Sequence, residues 1–169
     1  VTEVLGEEDL RIAGKLLISS DYLGAEMGKL RFGVTKLPQG DVNLTSELKR
    51  VVHTTDLPAN AVLASDGTLR LPVSGKIAFP VYQGAMLHQF NAFYGSYESG
   101  FGHATSWRNG EIGTVYPQFW GDEENGFDIP DPRGVRLISR RLTNSTNERS
   151  MICALTPDFP SSDTTLRWI

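Results

Sequence analysis

The stretch Ala61-Val62-Leu63-Ala64-Ser65-Asp66-Gly67-Thr68-Leu69-Arg70-Leu71-Pro72-Val73 reads as a β-hairpin, with two short apolar runs joined through Ser-Asp-Gly. Asp-Gly is a strong turn signal because glycine accepts left-handed backbone and the aspartate side chain bonds the backbone two residues on. After Ser74-Gly75, the run Lys76 to Val81 predicts the next strand. Upstream, Lys29 to Leu37 alternates polar and apolar residues with period two, as a half-buried strand does, and Pro38-Gln39-Gly40-Asp41 closes it with turn residues. Downstream, Val135 to Leu142 and Met151 to Leu155 are further strand candidates, linked by the turn-forming Thr143-Asn144-Ser145-Thr146-Asn147-Glu148-Arg149. Helical signals are few. Leu44, Leu48, Val51 and Val52 lie at helical spacing, with Thr45 or Ser46 as N-cap and Glu47 in the first turn, and Glu7 to Ile18 fits a short helix or a strand. Glu98 to Arg133, rich in Gly, Asp, Glu and Pro, predicts mostly loop with short apolar insertions at Val115-Tyr116 and Phe119-Trp120. The fold class expected is α+β, a β-rich mixed or antiparallel sheet with a few short helices.

Length and composition set the outer bounds. A chain of 169 residues, 40% hydrophobic, is one domain's worth and large enough for a core without disulfide or metal staples. The single Cys153, inside an apolar run, is expected to be a small buried hydrophobe and points to a reducing, cytoplasmic setting. No apolar run approaches the length of a membrane span, so no membrane partner is expected. The chain begins at Val1 and ends on the apolar Leu166-Arg167-Trp168-Ile169, which reads as a single-domain piece, 1–169, of a longer protein.

The net charge of -4 is uneven: Val1 to Tyr97 carries -1, Glu98 to Pro132 carries -6, and Arg133 to Ile169 carries +3 with six arginines and no lysine. An acidic domain is a poor non-specific nucleic-acid binder, since that affinity comes from neutralising phosphates. A local arginine cluster can still read a defined site, because base contacts need only a few well-placed forks.

Several chemistries are not supported. His53, His88, His103 and Cys153 lack metal-ligand spacing, so no zinc site is expected. No phosphate-cradling Gly-x-x-x-x-Gly-Lys-Ser/Thr loop occurs. Asp41, Glu47 and Lys49 faintly match the acidic residues and lysine of many restriction nucleases, but their spacing is short, and Glu47 and Lys49 suit the solvated face of a helix. Asn43-Leu44-Thr45 and Asn144-Ser145-Thr146 are read as chance glycosylation sequons.

Two segments are more specific. The first is Phe79-Pro80-Val81-Tyr82-Gln83-Gly84-Ala85-Met86-Leu87-His88-Gln89-Phe90-Asn91, followed by Phe93-Tyr94-Gly95-Ser96-Tyr97; the second is Val135 to Pro157. In this order they resemble the region following the catalytic part of large adenine-specific DNA methyltransferases, including fused restriction-modification and phage-defence enzymes. In that family a strand ending in Pro-Leu-Tyr-Glu-Gly/Ala-Lys-Met leads into an aromatic His-x-Phe-Asp/Asn stretch. A variable loop with an aromatic-Trp pair follows, then an arginine-bearing strand, Ser/Thr-Thr-Asn/Asp-Glu-Arg-Thr, and an apolar strand ending in Pro. Val81 to Met86 match the first block, Phe119-Trp120 the pair, and Ser145 to Ser150 the last. Ala85 replaces the family's lysine and Ala92-Phe93 its His-Arg. The resemblance covers about half the chain.

The resemblance implies target recognition: binding of double-stranded DNA beside a catalytic methyltransferase domain of the same polypeptide. The Asn/Asp-Pro-Pro-Tyr/Phe motif and the glycine-rich S-adenosylmethionine motif do not occur here, so no cofactor is expected in this chain and S-adenosylmethionine is expected in the parent enzyme. Candidate DNA contacts are Arg136, Arg140, Arg141, Asn144, Thr146, Asn147 and Arg149, since Arg forks suit guanine and amides suit adenine. Tyr82, Met86, Phe90 and Trp120 are expected in the core. The competing reading is a β-rich protein- or carbohydrate-binding module with Trp107, Tyr116 and Trp120 as an exposed platform.

Overall fold

In the computed structural model the described residues are 36–37, 40–131, 133–142 and 151–168. The element expected at Glu7 to Ile18 and nearly all of Lys29 to Leu37 lie outside them. The chain divides into two compact units, Val1–Lys36 with Ile169, and Leu37–Trp168; the following concerns the second.

The hairpin forms as expected. Strands β3 (Val62–Leu63) and β4 (Leu69–Leu71) pair antiparallel, Val62 opposite Arg70 and Leu63 opposite Leu69. Gly67 sits at φ +83 in the turn, and the Asp66 carboxylate accepts from both the amide and hydroxyl of Thr68. Strand β5 (Lys76–Pro80) continues the sheet on β4, and β8 (Phe119–Gly121) and β2 (Val52–His53) complete an antiparallel five-stranded order β2-β8-β5-β4-β3. Leu69, Ala78 and Trp120 form one apolar layer of this sheet. Trp120 is 1% exposed, and its indole N–H donates to the Thr54 hydroxyl at 2.9 Å.

A second sheet has the order β1-β11-β9-β10, from β1 (Lys36–Leu37), β9 (Val135–Arg140), β10 (Cys153–Pro157) and β11 (Thr165–Trp168). Strand β9 lies between β10 and β11, antiparallel to both. A two-stranded hairpin, β6 (Gly95–Ser99) with β7 (Ser106–Asn109), stands apart from both sheets. The segment Pro160 to Asp163 joins the sheets. The amides of Asp41 and Val42 bond Ser161 O, the Tyr82 amide bonds Pro160 O, and the Ser162 amide bonds Tyr82 O. The largest apolar cluster is shared between the sheets: Phe79, Tyr82, Met86, Leu87 and Ala92 meet Ile138, Ala154 and Phe159.

The protein is thus β-rich with antiparallel sheets, and its short helices are all 3-10 turns among the described residues. The amphipathic helix expected from Leu44 to Val52 is replaced by a 3-10 turn at Leu48–Arg50 that runs directly into β2. Asn43 starts the preceding turn instead of Thr45 or Ser46, its side-chain oxygen accepting from both of their amides. β-Branched Val51-Val52 and the pairing of Val52 with Trp120 draw the chain into a strand before a helix can lengthen. The region expected to be mostly loop holds β7 and β8, and β11 was not anticipated at all.

His53 is 8% exposed, wedged edge-on between Tyr97 and Phe119, with Nδ1 accepting from the Thr55 amide. Burial lowers its pKa, and the nearby Asp56 carboxylate only partly opposes this. The unfolded chain therefore binds the extra proton more readily, so stability should be constant above the ordinary histidine value of about 6.5 and decline as pH falls below it. Urea unfolding at pH 7 and at mildly acidic pH should show this decline, and His53→Gln should flatten it. An equal slope in both proteins would remove His53 as its source.

Candidate nucleic-acid interface

In β9, Val-Arg-Leu-Ile-Ser-Arg alternates faces, which puts Arg136, Ile138 and Arg140 on the same side. That side is the core side, because Ile138, its cross-strand partner Ala154, and Thr156, the partner of Arg136, are all buried. The arginines lie there because each has internal partners. Arg136, its side chain only 10% exposed, pairs through Nη1 with Asp41 at 2.8 Å and through Nε with Asp158. Arg167 in β11 also reaches Asp41, at 3.4 Å. Burial acts to raise the Asp158 pKa, but the Arg136 hydrogen bond, the Asp131 amide and the charges of Arg136 and Arg167 outweigh it and leave it lowered. Arg136 is therefore engaged within the fold and has no free fork for a base edge.

Arg140 binds the first motif block. Its Nε donates to Leu87 O at 2.8 Å and a second guanidinium N–H donates to the same carbonyl. The Arg140 Cζ lies 5.9 Å from the Tyr94 ring centroid, and His88 packs on that ring at 4.6 Å with a 32° tilt. The amide of Gly84 bonds the Thr164 hydroxyl, and the amide of Phe90 bonds Cys153 O. The two segments singled out in the sequence, separated by Glu98 to Gly134, are thus joined around the end of β9 and the beginning of β10. Gly95 enables part of this packing, because a Cβ there would lie 2.3 Å from Ala85 O.

What projects from this end is different in character. Arg141 is exposed, anchored by its amide to Thr164 O and by Nη1 to Asp163 O at 3.3 Å. Leu142, Met151 and Tyr94 are also exposed, and Phe90 is 80% exposed. Phe90 was expected in the core with Tyr82, Met86 and Trp120, which are buried. It occupies a tight turn in which His88 and Asn91 exchange backbone hydrogen bonds, and its φ is +60, the one positive value at a non-glycine among the described residues.

Asn144, Thr146, Asn147 and Arg149 lie outside the described residues, on the connector that leaves β9 beside Arg141 and returns at Met151. Cys153 is half-buried rather than fully buried. Asp41 is held by Arg136 and Arg167 while Glu47 turns to Arg50, so the nuclease-like set does not assemble; among the described residues no group of three His, Cys, Asp or Glu could hold a metal. The platform imagined for a protein- or carbohydrate-binding module also fails to assemble, with Trp120 in the core and Trp107 packed partly buried against it, leaving only Tyr116 more exposed. No described helix is long and apolar enough to cross a membrane. No glycine-rich strand-to-α-helix turn that could hold S-adenosylmethionine occurs among the described residues, and no chemical step is assigned to this chain. Comparison with family models, with curated proteins and with solved structures returns no match.

Proposed function

We propose that the chain recognises double-stranded DNA as the target-recognition part of an adenine-specific DNA methyltransferase or restriction-modification enzyme, with the catalytic domain and S-adenosylmethionine elsewhere in the same polypeptide. The observation that supports this most is the joining of the two family-like segments into one scaffold through Arg140, Leu87, Phe90 and Cys153. That scaffold presents Arg141 and the ends of the Asn- and Arg-bearing connector at one exposed edge. In this reading Arg136 and Arg140 brace the scaffold, while Arg141, Asn144, Thr146, Asn147 and Arg149 contact bases and phosphates. Recognition by a few arginine and amide forks accommodates the overall acidic charge, because the body of the domain need not attract phosphate.

Fluorescence anisotropy of short labelled duplexes across a salt series tests the reading. Binding should weaken steeply as salt rises, and Arg141→Ala should lower affinity several-fold and reduce the salt slope by about one if Arg141 meets a phosphate. Binding without salt dependence, or an Arg141→Ala/Arg149→Ala variant that binds as the parent does, would overturn it.

A further inference from the structure

We propose that the cleft between the start of β5 and the acidic turn after β8 binds an arginine side chain of a partner polypeptide. The cleft shares no residue with the candidate nucleic-acid interface and does not depend on that reading. It arises where strand pairing stops. β8 pairs with β5 only at Trp120 and Gly121, opposite Pro80 and Phe79. Beyond Gly121 the chain leaves the sheet as a 3-10 turn, Glu123–Asn125, instead of pairing with the first residues of β5. The Asp122 carboxylate holds the turn by accepting from the amide and side chain of Asn125, and Gly126 closes it in left-handed backbone. The Lys76 ammonium, bonded to Glu124, ties the turn back to the strand. A cleft of about 260 Å³ remains between turn and strand.

Two features of its lining select the occupant. Ile77, Phe79 and Ile129 form an apolar surface, of which Ile77 and Ile129 remain 44% and 64% exposed. Around it stand three carboxylates, Asp122 to Glu124, against the single ammonium of Lys76. These acidic residues belong to the segment Glu98 to Pro132 that carries -6, a charge that repels phosphate and that the DNA reading leaves without a role. A ligand that fits both features has an apolar stem and a cationic head, as arginine and lysine side chains do. The volume lies below the roughly 300–1,000 Å³ of sites for drug-sized ligands and cofactors, which suits one side chain. Arginine fits better than lysine, because its guanidinium is more weakly hydrated and its planar fork can meet a carboxylate through two bonds. Among the described residues Asn125 engages Asp122 and Lys76 engages Glu124, which leaves Glu123 for the incoming guanidinium. The Lys76–Glu124 pair is solvent-exposed and therefore weak, so Glu124 can join Glu123 when the cleft fills.

The test is an isoleucine-methyl NMR titration of the chain with N-acetyl-arginine N-methylamide, a probe that carries the side chain on a capped backbone. It should move the Ile77 and Ile129 methyls saturably and leave Ile112 in place. Ile112 is exposed beside Glu111 in the same acidic segment, so it reports unspecific attraction. The citrulline analogue, similar in shape but uncharged, should give no saturable shift, and the lysine analogue should bind several-fold more weakly. Glu123→Gln/Glu124→Gln should weaken arginine binding about tenfold, the scale of two partly exposed charge pairs. Ile129→Ser should also weaken it, and Glu111→Gln should leave it unchanged. All these substitutions fall on exposed residues and spare the core. Absence of a saturable arginine shift, citrulline or lysine binding as tightly as arginine, or shifts at Ile112 equal to those at Ile129 would each overturn the proposal.

Discussion

Trp120→Ala should remove about 4 kcal/mol of folding stability, read as a shift of the urea midpoint at unchanged slope. The indole is 1% exposed in the layer of Leu69 and Ala78, on a strand that joins β2 to β5. Its removal takes away a large buried apolar surface, and the short strands around it cannot collapse onto the gap without breaking their pairing. It also frees the Thr54 hydroxyl of its donor. Trp120→Phe separates the two contributions, keeping a ring while losing the hydrogen bond, and should cost about 1–2 kcal/mol. A loss under about 2 kcal/mol for Trp120→Ala would mean that the five-stranded sheet repacks far more freely than a well-filled core does.

Arg136→Ala should cost about 3 kcal/mol at neutral pH, the scale for removing one member of a largely buried ion-pair network. The cost comes from what remains. Asp41 keeps Arg167 and the Ser161 amide, but Asp158 retains only the Asp131 amide. Asp158→Asn in the same chain should recover part of the loss, and the coupling read from the double-mutant cycle is the check. The pH dependence provides a second one. With its folded pKa held below the unfolded value, Asp158 contributes stability above the ordinary aspartate range, and that contribution is lost as pH falls through the folded value. Arg136→Ala should therefore show a shallower acid limb than the parent. Matching acid limbs would place the acid sensitivity elsewhere.

The hairpin at Ala61 to Val73 and strands β5 and β9 were legible because each carries its own local signal, a turn dipeptide or a run of apolar and β-branched residues. Strand β11 was not, since Thr-Leu-Arg-Trp is too short for periodicity to register and owes its conformation to pairing with β9. The helix expected near Leu48 failed for the related reason that spacing alone cannot reveal a strand partner such as β8. At the candidate site the motif order in the sequence singled out two segments that the fold joins, but not the internal partners of their arginines. Arg136 and Arg140 read as free cations because their partners Asp41, Asp158 and Leu87 are distant in sequence. Phe90 read as core because aromatic residues usually are; its exposure on a tight turn shows otherwise.

The belt at Pro160 to Asp163 also bears on how the chain is made. The Asp41 side chain and backbone find their partner at Ser161, 120 residues later, and Tyr82 likewise waits for Pro160 and Ser162. At synthesis rates of about 5–20 residues per second, Val42 and Tyr82 must emerge and remain without these partners for several seconds before the segment that binds them exists. During that interval the first sheet can assemble its hairpins, but the joint between the two sheets cannot close. Synthesis of this stretch thus includes a period of exposure for chaperones or aggregation to act on, and it ends when Pro160 to Asp163 leave the ribosome.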